Sequence, residues 1–154
     1  SGKTTLVENL VKNITDQGYK VSTIKHAHHS FDIDHKGTDS FRHRKAGAKE
    51  VLLASRKRWA LIHELMDEPE KDFDFLVNRI APTDLILVEG FKAEVHNKIE
   101  VIREENKKTP IHMSDENVLA IAADYKISDV SLPIFHLDEI SKIANFILKK
   151  VGLK

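Results

Sequence analysis

Apolar positions along the chain follow two periods, one helical and one alternating, and the switches between them outline the elements. Leu6, Val7, Leu10, Val11 and Ile14 recur at helical spacing, and Gly18 stands where a C′ glycine ends a helix, which predicts a helix over 5–17. Tyr19–Lys25, YKVSTIK, carries β-branched residues in alternation and reads as a strand. Helix then strand is half of a βαβ unit. The other half, an upstream strand, is expected before residue 1, so the domain is read as N-terminally incomplete. Thr38 or Asp39 caps a short helix that Gly47 closes. Glu50–Ser55, EVLLAS, and Trp59–His63, WALIH, flank the basic turn Arg56–Arg58, which predicts a hairpin added antiparallel to the sheet.

Phe73, Leu76, Val77 and Ile80 give a further helical stripe, stopped at Pro82. Asp84–Phe91, DLILVEGF, has four consecutive aliphatics, the pattern of a central strand covered on both faces. Lys98–Arg103, Val118–Ala123 and Pro133–Phe135 follow as strands. From Asp138, the residues Ile140, Ile143, Ala144, Ile147, Leu148 and Val151 form an amphipathic terminal helix with lysines in its last turn, where they suit the dipole. No repeat or low-complexity tract interrupts the series, and residues 1–154 are expected to form one domain.

Composition narrows the functional classes. With 24 basic and 24 acidic side chains, no net field points to nucleic acid or an anionic membrane surface. The absence of cysteine excludes a disulfide scaffold and any thiolate zinc site, and fits a cytoplasmic protein. No apolar run approaches the length of a membrane span. Of nine histidines, five fall between residues 26 and 43.

The first chemical signal is Ser1-Gly2-Lys3-Thr4-Thr5-Leu6. It matches the second half of G-x-x-x-x-G-K-[ST], in which backbone N–H groups wrap phosphates, the lysine reaches the β/γ oxygens and the hydroxyl meets Mg²⁺. Lys3 is then the phosphate lysine and Thr4 the metal hydroxyl, although the same residues also suit a plain capped helix start. The second signal is Glu89-Gly90, at the carboxyl end of the aliphatic strand, where a Walker B acid holds the metal shell or orients a water. Asp84 lies at the other end of that strand, roughly 16 Å away at about 3.3 Å per residue, so Glu89 is the candidate and Asp84 a turn acid. An unpaired buried carboxylate is costly, so Glu89 is expected to have a metal, waters or a base such as Lys92.

The third signal is the polar stretch His26–Gly37, which leaves the carboxyl end of a strand, where open α/β folds bind ligands. Asp32 and Asp34, two apart, face one side of an extended segment and are placed to approach a cation together. A solvated loop with an Asx turn is the plainer alternative. The run Arg42–Lys45 is either a solvated face or an anion clamp. Asn97-Lys98-Ile99-Glu100, the nearest thing to an N-K-x-D motif, precedes its strand, so the residues do not themselves choose a base; Asp124, after the short strand Val118–Ala123, is the residue that would accept from a guanine edge if the base is guanine. Arg42, Arg44 and Arg56 are the possible arginine-finger donors.

Lys25–Ala48, KHAHHSFDIDHKGTDSFRHRKAGA, followed by VLLAS and DLILVEGFK, resembles the MobB family of molybdopterin-guanine dinucleotide biosynthesis adapter proteins. The resemblance runs from Ser1 through Lys92 and on to IAAD at Ile121–Asp124. It implies a P-loop NTPase-like three-layer α/β fold, its sheet mostly parallel with an antiparallel hairpin. It further implies GTP binding with weak hydrolysis, a homodimer, and a role beside the guanylyltransferase MobA in attaching GMP to molybdopterin. Gly2, Lys3, Thr4 and Thr5 match the family's phosphate loop; Asp32, Asp34 and Glu89 match its acidic positions; and His26, His28 and His29 match its loop. The upstream strand and first loop glycine of the family are not matched.

Three rival readings remain open on sequence. A small-molecule kinase would use the same loop, though no arginine-rich lid is visible. A metal-binding module would use His26, His28, His29 and His35. A scaffold would let nucleotide state control docking.

Overall fold

In the computed structural model, which describes residues 2–106 and 108–154, the first stripe becomes α1 (Gly2–Asp16), burying Leu6, Leu10 and Ile14 on one side. The helix closes through Gly18, whose φ of +97° is the left-handed conformation glycine takes most easily. Strand β1 (Val21–Lys25) begins two residues later than the alternation predicts. Tyr19 is drawn off because its N–H still bonds Ile14 of α1, and the Lys20 N–H donates to the Asp84 carboxylate at 2.7 Å. Asp84 is thus the turn acid expected of it.

Next come α2 (Asp39–Lys45), β2 (Glu50–Ala54), β3 (Trp59–His63) and α3 (Phe73–Val77). They are followed by β4 (Leu85–Glu89), β5 (Lys98–Ile102), β6 (Val118–Ala123), β7 (Ile134–His136) and α4 (Ile140–Lys150). A 3-10 turn at Ile111–Met113, which periodicity did not predict, is held by Glu100 of β5, whose buried carboxylate accepts from the Ile111 and His112 N–H groups.

The described residues divide into two compact units, the first running to His26 and resuming over Val77–Lys154, the second Ala27–Leu76. In the first, β1 pairs parallel with β4, and β5, β6 and β7 pair parallel in that order. The expected parallel direction holds, but the ladders fall into two groups because no strand pairing joins β4 to β5 among the described residues. Helices α1 and α4 pack together, and Ile14, Ile143, Ala144 and Leu148 are fully buried with Leu85 of β4 and Ala122 of β6 in one core. Each buried isoleucine or leucine of this set contributes about 1.5–3 kcal/mol by leaving water. In the second unit, β2 and β3 form the expected hairpin, Val51 opposite Ile62, but as a two-stranded sheet of their own rather than an addition to the parallel strands.

Candidate functional site

Parallel pairing decides which side chains meet. Because β1 and β4 run the same way with Lys25 opposite Glu89, both residues emerge at one carboxyl rim. The N-terminal turn of α1 reaches the same rim: Thr4 Oγ1 donates to Glu89 Oε1 at 3.4 Å, and Lys25 Nζ lies 3.9 Å from that oxygen. The basic neighbour of Glu89 is therefore Lys25 and not Lys92, which is exposed on the turn after Phe91. A partner on the adjacent strand of a parallel pair is fixed by register, whereas one three residues along the chain is not. The Glu89 side chain is 18% exposed, shielded yet reachable. Lys3 and Thr5 are exposed on the first turn of α1, and Ser1 lies outside the described residues.

The turn under Glu89 is constrained in both backbone conformation and space. Gly90 has φ +97°, and a β-carbon there would lie 2.8 Å from the His26 Cβ, so the position requires glycine on two counts. Phe91 also has positive φ, at 55°, uncommon for an aromatic residue and typical of a position held by its surroundings. His26 supplies part of the hold, donating its N–H to the Glu89 carbonyl at 2.9 Å and stacking its ring on Phe91 with centroids 4.5 Å apart. Of the loop histidines, His26 thus packs under the rim, while His28 and His29 are exposed in the second unit. No three His, Cys, Asp or Glu side chains among the described residues converge to hold a metal.

Two further residues emerge at the carboxyl ends of β5 and β6. Ile102 is opposite Ala123, so Arg103 and Asp124 follow side by side. Asp124 accepts from the Glu104 N–H at 2.9 Å and from Arg103 Nε at 3.3 Å. The Glu104 N–H first, and Arg103 after it, hold the Asp124 carboxyl below the usual range against the opposing effect of burial. Asp124, expected to accept from a guanine edge, is thus held within the chain by one bond on each oxygen. Arg103 was missed by sequence reasoning, although an arginine directly after a parallel strand is by that fact at the ligand-binding edge.

In the second unit, Asp32 and Asp34 do face the same cation, as their spacing predicts, but that cation is Arg44. Its Nε and Nη2 donate to the two Asp34 oxygens at 3.0 and 2.5 Å, Nη2 also donates to Asp32 at 2.9 Å, and Nη1 donates to Glu64 at 2.8 Å. The side chains of Arg44 and Asp34 are 8% and 6% exposed. The two-pronged bond from Arg44 lowers the Asp34 pKa, and Asp34 in turn raises that of Arg44. The metal-ligand expectation for Asp32 and Asp34 is corrected: their charge is answered by a guanidinium that anchors the loop to α2. Arg44 is thereby committed as well, while Arg42 stays exposed beside Asp39 and His43 in a shallow depression.

Among the described residues no helix is long and apolar enough to cross a membrane. Residues 1–124 match the family model described as "MobB: Molybdopterin guanine dinucleotide synthesis protein B". The chain is 38% identical over 152 residues to the molybdopterin-guanine dinucleotide biosynthesis adapter protein of Escherichia coli (strain K12), covering 97% of this chain and 86% of that one. It is 40% identical over 152 residues to the protein of the same name from Haemophilus influenzae, covering 96% and 82%. Its fold resembles the crystal structure of a molybdopterin-guanine biosynthesis protein B with a TM-score of 0.76 at 28% identity, covering 97% of this chain and 93% of that one. The matched span takes in the G-K-T-T turn, the Glu89 rim and the Arg44-anchored loop alike, and the chain belongs to the MobB family.

Proposed function

We propose that this chain is a GTP-binding adapter of molybdopterin guanine dinucleotide biosynthesis that assists the guanylyltransferase MobA and turns GTP over weakly. The observation that carries this reading is the approach of Thr4 Oγ1 to Glu89 Oε1 at the start of α1. A hydroxyl and a carboxylate meeting where a helix presents its free N–H groups is the donor set that a nucleotide phosphate and its cation require. Thr4 and Glu89 would hold Mg²⁺, which when bound supplies neutralisation of phosphate charge. Lys3 and the first N–H groups of α1 take the phosphate oxygens, and Lys25 faces Glu89 from 3.9 Å. Weak turnover accords with the single carboxylate, Glu89, that bonds the phosphate turn among the described residues and with Arg44 being held by Asp32, Asp34 and Glu64.

Molybdopterin and the guanylyltransferase are the partners this role requires, and a cytoplasmic location accords with the cysteine-free sequence. A homodimer belongs to the same reading. Leu52 and Leu61 are cross-strand partners on the hairpin face that also carries Trp59, and they are 64%, 48% and 70% exposed. An apolar face of this kind, rimmed by charge, marks a protein-contact surface. Calorimetric titration of the chain with Mg-GTP and Mg-ATP tests the proposal. Lys3→Ala is expected to weaken triphosphate binding by about tenfold or more. Undiminished affinity in that variant contradicts the reading.

A further inference from the structure

We propose that Arg103 is a phosphate-contacting residue of this site and that Asp124 is the residue that positions it, an inference that rests on the nucleotide reading above. The Arg103 side chain lies against the first turn of α1: from the point where a β-carbon on Gly2 would stand, Cδ is 2.9 Å away and Nη1 3.0 Å. The glycine of the G-K-T-T turn therefore leaves the space that the guanidinium fills.

Electrostatics argues that this placement serves a ligand. A helix N-terminus carries the positive end of the dipole, so cations beside it are unfavourable and anions favourable. The first turn of α1 nevertheless contains no acidic residue, carries Lys3, and has Arg103 packed on it. For folding alone this gathers like charge at the turn, answered at Arg103, among the described residues, only through Nε by Asp124 and Glu105. With a bound polyphosphate, the same groups become complementary.

The tether also fits. Asp124 Oδ2 and Glu105 Oε1 contact Arg103 through Nε, at 3.3 and 3.4 Å. Nη1 is the nitrogen that reaches the α1 turn. The other Asp124 oxygen is fixed by the Glu104 N–H, so the anchor itself is held by backbone. At 35% exposure the Arg103 side chain is reachable from solvent. An arginine oriented through one nitrogen presents the rest of its planar fork to phosphate oxygens, a recognition that lysine cannot copy.

The test is calorimetry of the full chain with Mg-GTP and with inorganic tripolyphosphate, a probe without a base. Arg103→Met is expected to lose about tenfold or more in affinity for both, Arg103→Lys to recover part of that loss, and Asp124→Asn to show a smaller loss on both probes. If Arg103→Met melts below the assay temperature, Arg103→Gln, which keeps length and hydrogen bonding without charge, takes its place. Wild-type affinity for tripolyphosphate in the neutral variant overturns the assignment, including the case where GTP alone is weakened, since Arg103 then serves the base. Loss of the nucleotide reading is recognised separately: wild-type protein binds neither probe, or Lys3→Ala binds both as wild type does.

Discussion

Glu89 in the first unit and Asp34 in the second are both well shielded carboxylates within reach of a cationic side chain, yet their surroundings differ in kind. Asp34 receives two short bonds from a guanidinium that is itself 8% exposed. Glu89 receives one long hydroxyl contact at 3.4 Å and an ammonium at 3.9 Å whose side chain is 62% exposed. The first arrangement satisfies its charge within the chain and fixes a loop. The second, among the described residues, holds Glu89 only loosely, beside the N-terminal turn of α1. Acidity and shielding are common to both; only the partners differ.

The sharpest way to break this comparison is at Arg44. Arg44→Met leaves Asp34 shielded without its counter-charge and releases Asp32 and Glu64, so it is expected to give the largest drop in thermal midpoint, with Asp34→Asn next and the more exposed Asp32→Asn least. Differential scanning calorimetry of the three variants checks that order. A flat series would mean that the hub is ornamental.

A smaller effect is expected at the rim's backbone. Gly90→Ala must hold φ near +97° and push its new methyl toward His26, which is expected to reduce stability by about 1–3 kcal/mol. Urea unfolding with unchanged slope would register this, and a variant as stable as wild type would show that the turn is free to relax.

The smallest effect concerns pH. Both ring nitrogens of His63 face carboxylates, Glu50 at 2.8 Å and Glu68 at 2.6 Å, an arrangement satisfied only by the doubly protonated ring. Glu50 first, then Glu68, raises the His63 pKa, so its contribution is complete below the ordinary value of 6.5 and disappears as pH rises through the raised one. His63 first, then Lys49, lowers Glu68 to about 2, so its contribution is complete above 4.5 and disappears as pH falls toward 2. The clamp between hairpin and following loop is therefore firmest between pH 4.5 and 6.5. Amide exchange of Glu64–Glu68 across that range, with His63→Gln as control, measures it, and protection that ignores pH would exclude the clamp.

Local pattern made much of this legible. The stripe of Leu6, Leu10 and Ile14, the glycine closing α1, the aliphatic run ending at Glu89 and the β2–β3 hairpin all follow from spacing along a few neighbouring residues. The meeting of Thr4 with Glu89 was accessible as well, because a parallel strand and the helix of a βαβ unit must present those ends at one rim. Element ends were less accurate where a side chain far along the chain intervened, as Asp84 did at Lys20.

What the sequence determined by itself was therefore the kind of fold, the rim at which α1 meets the end of β4 and the family to which the chain is akin, since these depend on periodicity and short motifs. Tertiary structure alone decided that Lys25 faces Glu89, that Arg44 claims Asp32 and Asp34, and that Arg103 rests on Gly2 with Asp124 behind it. Each of those pairings joins residues at least ten positions apart through strand register or loop closure. Charge and size in the sequence are compatible with many such pairings, and only the packed backbone selects among them.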